Sequence, residues 1–490
     1  MGHKVIKRSV LAASVALLVG ASGVSHATNG YFAHGFGTQS KGMGGVGMAL
    51  SHDSFAPATN PAGIAGMESR VDGALAYFRP ERSYEVFGDG LDITDPGPVL
   101  ENLELTGENL ADGLIGALDG LADLDVIQAT DNLFLSLVPA TLVPLNSNGE
   151  SVESRERMFL IPSFGFVRQI NDRSSWGLTV VGNGGLNTNY PAFDNTEGCE
   201  GPFGSEVGNQ TGPFCDGAAG VDLLQLMVMP TFATSFGEEG QWRVGVSPLV
   251  SYQQFSARGL SNFGDLSESP EHVSDNETDD SFGYGVRVGV QTDIGQWGSL
   301  GASYQSKQRH EGFDDYRGLF AEQGNFDIPS TWGVGGAIYL TPQLTLAADY
   351  SRINYSDVSS ITNSVTNLTE DGARLGSSEG PGFGWDDVDV FKVGVQYETR
   401  GNWTFRAGYN YGDNPVEPDE VTLNILAPGV TREHYTVGAT RAAGDNWELS
   451  FAAMYAPRES VRGQHAFFEE QDVEIEMTQY EFEVGIGYRF

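Results

Sequence analysis

The stretch Tyr480 to Phe490, YEFEVGIGYRF, decides the fold. Tyr480, Phe482, Val484, Ile486, Tyr488 and Phe490 fall on one side of an extended chain, and Glu481, Glu483, Gly485, Gly487 and Arg489 on the other. Side chains alternate faces along a strand, so this strand has one apolar face with aromatics at both ends and one polar or small face. A soluble sandwich would turn the apolar face inward. A transmembrane barrel turns it to lipid, with aromatic girdles where the bilayer ends.

The same alternation recurs upstream. Phe282, Tyr284, Val286, Val288 and Val290 oppose Gly283, Gly285, Arg287, Gly289 and Gln291, and Trp403, Phe405, Ala407, Tyr409 and Tyr411 oppose Thr404, Arg406, Gly408 and Asn410. Charges keep to the non-lipid face, as they must where a lipid-facing charge at mid-depth costs about 2–4 kcal/mol. Segments of this kind lie near 69–80, 157–170, 173–187, 221–236, 241–258, 281–294, 297–311, 326–340, 343–356, 386–398, 402–413, 430–442, 446–460 and 477–490. They predict an all-β fold, an antiparallel transmembrane barrel of about fourteen strands, with short turns on one rim and long loops on the other. Closure removes exposed strand edges.

Composition narrows the function. The formal net charge of −38 argues against nucleic acid and anionic head groups as partners. The mean hydropathy is −0.22, with apolar residues dispersed after residue 27. Before that point Lys4, Lys7 and Arg8, the apolar run Val10 to Val19, and Ser25-His26-Ala27 read as a cleavable export signal over 1–27. Cys199 and Cys215 then belong to an exported chain and are expected to form a disulfide. None of the eight histidines sits in a GxSxG or HExxH setting, so an enzyme is not expected, and no cofactor or metal is implied.

Residues 28–68 are rich in Gly, Ala and Ser and hold no periodicity for long. Such a segment cannot build its own core and is expected to sit inside the barrel of residues 69–490. Here the chain resembles the FadL-type outer-membrane transporters of long-chain fatty acids and hydrocarbons (the OMPP1/FadL/TodX family). The resemblance rests on the Gly-rich segment ending in Asn60-Pro61-Ala62, the strand count, the run Asn402 to Gly408 and the aromatic end. It implies an N-terminal hatch plugging the lumen, with Asn60, Pro61 and Ala62 against a kink in the third strand and ligand leaving sideways there. The kink falls on Gly182, Gly184 and Gly185, where glycines weaken pairing and permit a bulge.

The expected ligand is a hydrophobic small molecule. Both faces of two strands are apolar, which places Phe159, Met227 and Met229 in a greasy lumen that Phe32 and Phe36 enter from the hatch. Lys392 and Arg258 are candidates for a carboxylate head group, or equally partners for lumenal acids. Other expected partners are outer-membrane lipid and lipopolysaccharide, and the assembly machinery that reads the strand ending at Phe490; a monomer is expected. The first loop, 81–156, is long: Leu110, Leu114, Leu118 and Leu121 predict an amphipathic helix, and Leu133 to Leu145 is uncharged. It reads either as a capture platform or as a lid. Asp275, Glu277, Asp279 and Asp280 read as a divalent-cation site or as a solvated loop. The rival to the transporter reading is a general porin or an adhesin barrel.

Overall fold

A computed structural model describes residues 29–88, 145, 150–196, 199–201, 205, 206 and 208–490. Its framework is fourteen antiparallel strands: β1 (Arg70–Phe87), β2 (Phe159–Asn171), β3 (Ser174–Asn187), β4 (Gly220–Phe236), β5 (Trp242–Arg258), β6 (Asp279–Asp293), β7 (Gly298–Gln305), β8 (Thr331–Thr341), β9 (Leu344–Ile353), β10 (Val388–Glu398), β11 (Trp403–Gly412), β12 (Glu433–Ala443), β13 (Trp447–His465) and β14 (Phe468–Arg489). Each strand pairs with its neighbour in sequence, and β14 returns to β1 from Arg70↔Arg489 to Phe87↔Asp472, closing the barrel. The two ends of the barrel chain meet on the short-turn rim, where the Phe490 amide donates to the Ser69 carbonyl.

The alternation sets which side chains see lipid. Phe482, Val484 and Ile486 are exposed while Glu481 and Glu483 are buried, the inverse of a water-soluble strand. Exposed aromatics band the outer surface. Tyr409, Tyr435, Tyr455 and Tyr480 align across four adjacent strands, with ring centroids 5.2 Å apart for Tyr409–Tyr435 and 5.3 Å for Tyr455–Tyr480. Trp447 and Tyr488 pair near the short-turn rim, 4.7 Å apart. Two such bands at the ends of an apolar belt are what a bilayer-spanning barrel requires.

Three strands run further than expected. β1, β13 and β14 continue past the bilayer, where residues 461–476 form a ladder rather than the expected loop. Beyond Tyr480 the polarity of β14 inverts: Val473, Ile475 and Met477 are buried inside while Asp472, Glu474 and Glu476 take the outer face. Carboxylates on that face mark water, so the upper tyrosine band marks the bilayer edge. The amphipathic-helix and apolar-run readings of the first loop fall almost wholly on 89–144, outside the described residues. Cys199 and Cys215 are bonded, with Cα atoms 5.6 Å apart, in the loop between β3 and β4.

Candidate functional site

Residues 29–67 lie within the ring of strands and bond to inward-facing side chains around it. The Lys41 ammonium sits between Glu481 (2.8 Å) and Glu483 (2.7 Å) of β14. Burial works against the Lys41 charge, but the two carboxylates outweigh it and hold its pKa above the usual lysine value. Thr38 also donates to Glu483, at 2.7 Å. Across the lumen, Asp349 of β9 accepts from the Gly47 and Met48 amides at 2.7 and 3.0 Å. Arg406 of β11 donates to Gln39 at 2.7 Å, and Arg287 of β6 donates to the Pro57 and Ala58 carbonyls. Glycines let the two backbones touch: a Cβ on Gly408 would strike the Gly44 amide.

Of the two cationic residues expected to meet a ligand, one is engaged by the N-terminal segment. Lys392 donates to the His34 carbonyl at 2.9 Å. The His34 ring stacks on His434 of β12 at 6.2 Å, and burial, with Lys41 and Lys392 nearby, keeps it well below the usual histidine pKa. Arg258 is a correction. On β5 the inward residues are Ser247, Leu249, Ser251, Gln253, Phe255 and Ala257, so period-two alternation turns Arg258 to the outer face, exposed at the strand end.

The wall lacks a ladder over part of the β2–β3 seam. β3 pairs with β2 only as far as Phe164↔Val180. β2 continues against β1 to Phe159↔Phe78, and β3 continues against β4 to Asn187↔Asp222. Residues 159–163 and 181–187 thus face each other without a ladder, and the register of β3 breaks between Gly182 and Gly184. The start of the N-terminal segment docks on this free edge. The Ala33 amide donates to the Asn183 carbonyl at 3.2 Å, and the Gly185 amide to the Tyr31 carbonyl at 3.3 Å. A Cβ on Gly184 would collide with that Tyr31 carbonyl.

The Asn60-Pro61-Ala62 expectation needs correcting accordingly. Asn60 donates to the carbonyls of Met48 (2.8 Å), Val290 of β6 (3.1 Å) and Ala302 of β7 (3.3 Å), and its Oδ1 accepts from Ala62. Pro61 packs where Gly245 of β5 and Gly289 of β6 leave room. The residues that meet the third-strand glycines are Tyr31, Phe32 and Ala33, because the bulge frees backbone groups that only an extended segment can pair. No sequence signal marked those three beyond their aromatics.

The remaining predicted residues divide into groups. Phe32, Phe36 and Lys392 share a cavity of about 70 Å³ with Met48, Arg287 and Trp332. Met227 and Met229 are fully buried with Phe55, Val181 and Leu249, against Phe36, and so pack segment to wall. Phe159 lies beside the gap with Phe78, Ile161 and Leu226, under the Arg82 guanidinium. A separate apolar cavity of about 50 Å³ lies at the long-loop end, lined by Phe255, Leu260, Phe263, Phe320, Phe383 and Leu426. Of the acidic loop cluster, Asp275 accepts from Gly259, Ser261 and Ser274, and Asp279 from Asp280 and Asp315. These bonds brace loops, and no group suited to a metal occurs among the described residues.

Residues 240–490 match the family described as "Outer membrane protein transport protein (OMPP1/FadL/TodX)". The chain belongs to this family. It is 24% identical over 324 residues to a long-chain fatty acid transport protein of Escherichia coli O6:H1, covering 62% of this chain and 70% of that one. The corresponding protein of E. coli K12 is 22% identical over 336 residues, covering 62% and 71%. The fold is shared with the toluene transporter TodX of Pseudomonas putida (TM-score 0.59, 15% identity, covering 93% and 99%) and with a FadL homologue of Pseudomonas aeruginosa (TM-score 0.60, 14% identity, covering 94% and 100%). As a FadL/TodX member the protein is an outer-membrane β-barrel of a Gram-negative cell and a transport channel, not an enzyme.

Proposed function

We propose that the barrel carries long-chain fatty acids or comparable hydrophobic compounds across the outer membrane and releases them sideways into lipid between β2 and β3. The observation that carries this reading is the coincidence of the missing β2–β3 ladder with the docking of Tyr31 to Ala33 on the same edge. The apolar cavity among the loops is a first resting place. The N-terminal segment acts as a hatch, and movement of its first residues clears the gap. An acyl chain gains roughly 0.8 kcal/mol per methylene on leaving water, so discharge into hydrocarbon avoids re-exposing it. The relatives' long-chain fatty acid transport and TodX's toluene transport support this ligand class.

The test is uptake of a radiolabelled long-chain fatty acid and of an alkane by cells carrying wild type or Gly184→Val, with Gly182 and Gly185 replaced in parallel. Valine at 184 is expected to displace Tyr31 and abolish regulated uptake while the barrel still folds. Unchanged uptake by a folded variant would reject the lateral route. Uptake of neither ligand by wild type, together with large single-channel conductance for small solutes, would favour a general porin.

A further inference from the structure

At the level of the β3 bulge the inner wall carries a row of uncharged polar side chains with apolar side chains on both flanks. Gln225 of β4 stands opposite Gln253 of β5, and Gln253 opposite Ser281 of β6. Asn183 is the extra residue of the bulge, between Gly182 and Gly184, and its Nδ2 donates to Gln225 Oε1 at 2.9 Å. His310 closes the row, its ring between Ser251 (2.7 Å) and Ser281 (3.2 Å). Gln308 reaches in alongside, donating to the Met227 sulfur at 3.2 Å. Leu223 and Phe255 pair on one side of this row, and Met227, Met229 and Leu249 lie on the other.

Several of these groups are unanswered. Asn183, Gln225, Gln253 and Gln308 are all fully buried. Asn183 Oδ1, Gln225 Nε2, Gln308 Oε1 and both polar atoms of Gln253 have no hydrogen-bond partner among the described residues. Since both ends of the Gln253 amide are unanswered, turning the amide over changes nothing. The Tyr31 phenol approaches Gln225 from the hatch without a well-aligned hydrogen bond. Each buried unpaired group costs about 1–3 kcal/mol, so a row of them beside the exit is an expensive feature for a wall whose only task is packing.

We propose that this row binds the head of the ligand, and that the ligand is an aliphatic chain ending in an uncharged group that both donates and accepts hydrogen bonds, a hydroxyl or a protonated carboxyl. The inference rests on the transport reading above and specifies its substrate. The free amide nitrogens supply donors and the free amide oxygens supply acceptors, matching such a head on both counts. An alkane leaves every one of them unpaired. A carboxylate anion finds no lysine or arginine in the row and would shed its hydration for neutral partners alone, at a cost of several kcal/mol.

Equilibrium binding to the full-length protein in detergent tests this with radiolabelled dodecan-1-ol, dodecane and laurate, the last at about pH 8 and about pH 4.5, either side of carboxyl protonation at a buried site. The expected result is dodecanol bound at least about tenfold tighter than dodecane, laurate approaching dodecanol only at the acidic pH, and the preference erased by Gln253→Leu. Each unpaired group satisfied is worth that order of affinity. Equal binding of dodecanol and dodecane, unchanged in the variant, would overturn the head-group role and leave transport standing; so would strongest binding of laurate at the alkaline pH. Binding of none of the three would overturn both. Should Gln253→Leu fail the heat-modifiability test for a folded barrel, Gln225→Leu takes its place, and the wild-type ratios decide by themselves.

Discussion

Replacing Lys41 by Met is the most direct test of what holds the hatch. The methionine keeps the unbranched stem up to the Cε position and removes the ammonium, leaving Glu481 and Glu483 facing each other within a site where all three side chains are 6% exposed or less. Breaking a buried ion pair by removing one partner costs about 3–5 kcal/mol, chiefly because the opposite charge stays buried without its counter-ion. The strand ladders do not involve Lys41, so the loss falls on seating of the hatch rather than on the barrel. With each 1.4 kcal/mol worth a factor of ten, the unseated population rises about a hundredfold to a few thousandfold. Amide hydrogen exchange over 38–48 measures it, with single-channel recording as a second readout. The triple variant Lys41→Met, Glu481→Gln, Glu483→Gln is expected to recover most of the protection. Exchange within about threefold of wild type in the single variant would refute the view that this ion triad latches the hatch.

Other consequences are open to measurement. His34 has a depressed pKa in the folded protein, so its contribution is present above the unfolded value of about 6.5 and is lost as the pH falls below it. Hatch protection should therefore decrease on acidification towards about pH 5, and by less in His34→Gln, whose side chain stays neutral beside Lys41, Lys392 and His434. Arg258→Ser should leave ligand binding unchanged, because that side chain points away from the lumen; a fall beyond about threefold would place a ligand outside the barrel wall. Removing the Cys199–Cys215 bond frees a loop closed over a sequence separation of 16, worth about 3 kcal/mol of local order. Limited proteolysis should then cut within 191–219, while the barrel's heat-modifiability stays as in wild type. Deleting Phe490, which donates its amide to Ser69, should reduce the yield of folded barrel in the outer membrane, scored by the same gel shift.

How far the chain could be read without its structure differs from one segment to the next. Period-two alternation is local, so Tyr480 to Phe490 showed its lipid face unaided, and the short turns placed the hairpins. The reading failed where polarity inverted: the sequence QDVEIEMTQ from Gln471 to Gln479 alternates as strictly as the membrane part of β14, but with its acids outward, and its charge resembled a loop. Arg258 was misplaced because one residue of register exchanges lumen for exterior. The Asn-Pro-Ala contact was misplaced because a short motif does not specify which of fourteen strands it will meet.

Most of the strands, their lipid-facing sides and the barrel class were legible from the chain alone, because alternation and turn chemistry act among neighbours within about ten residues. The tertiary structure decided the gap between β2 and β3, the seat of Lys41 between two glutamates more than four hundred residues away, and the row from Asn183 to His310. Those depend on which strands pair, where one ladder stops, and which buried polar groups are left without partners, and only the closed barrel with its N-terminal segment inside it sets all three.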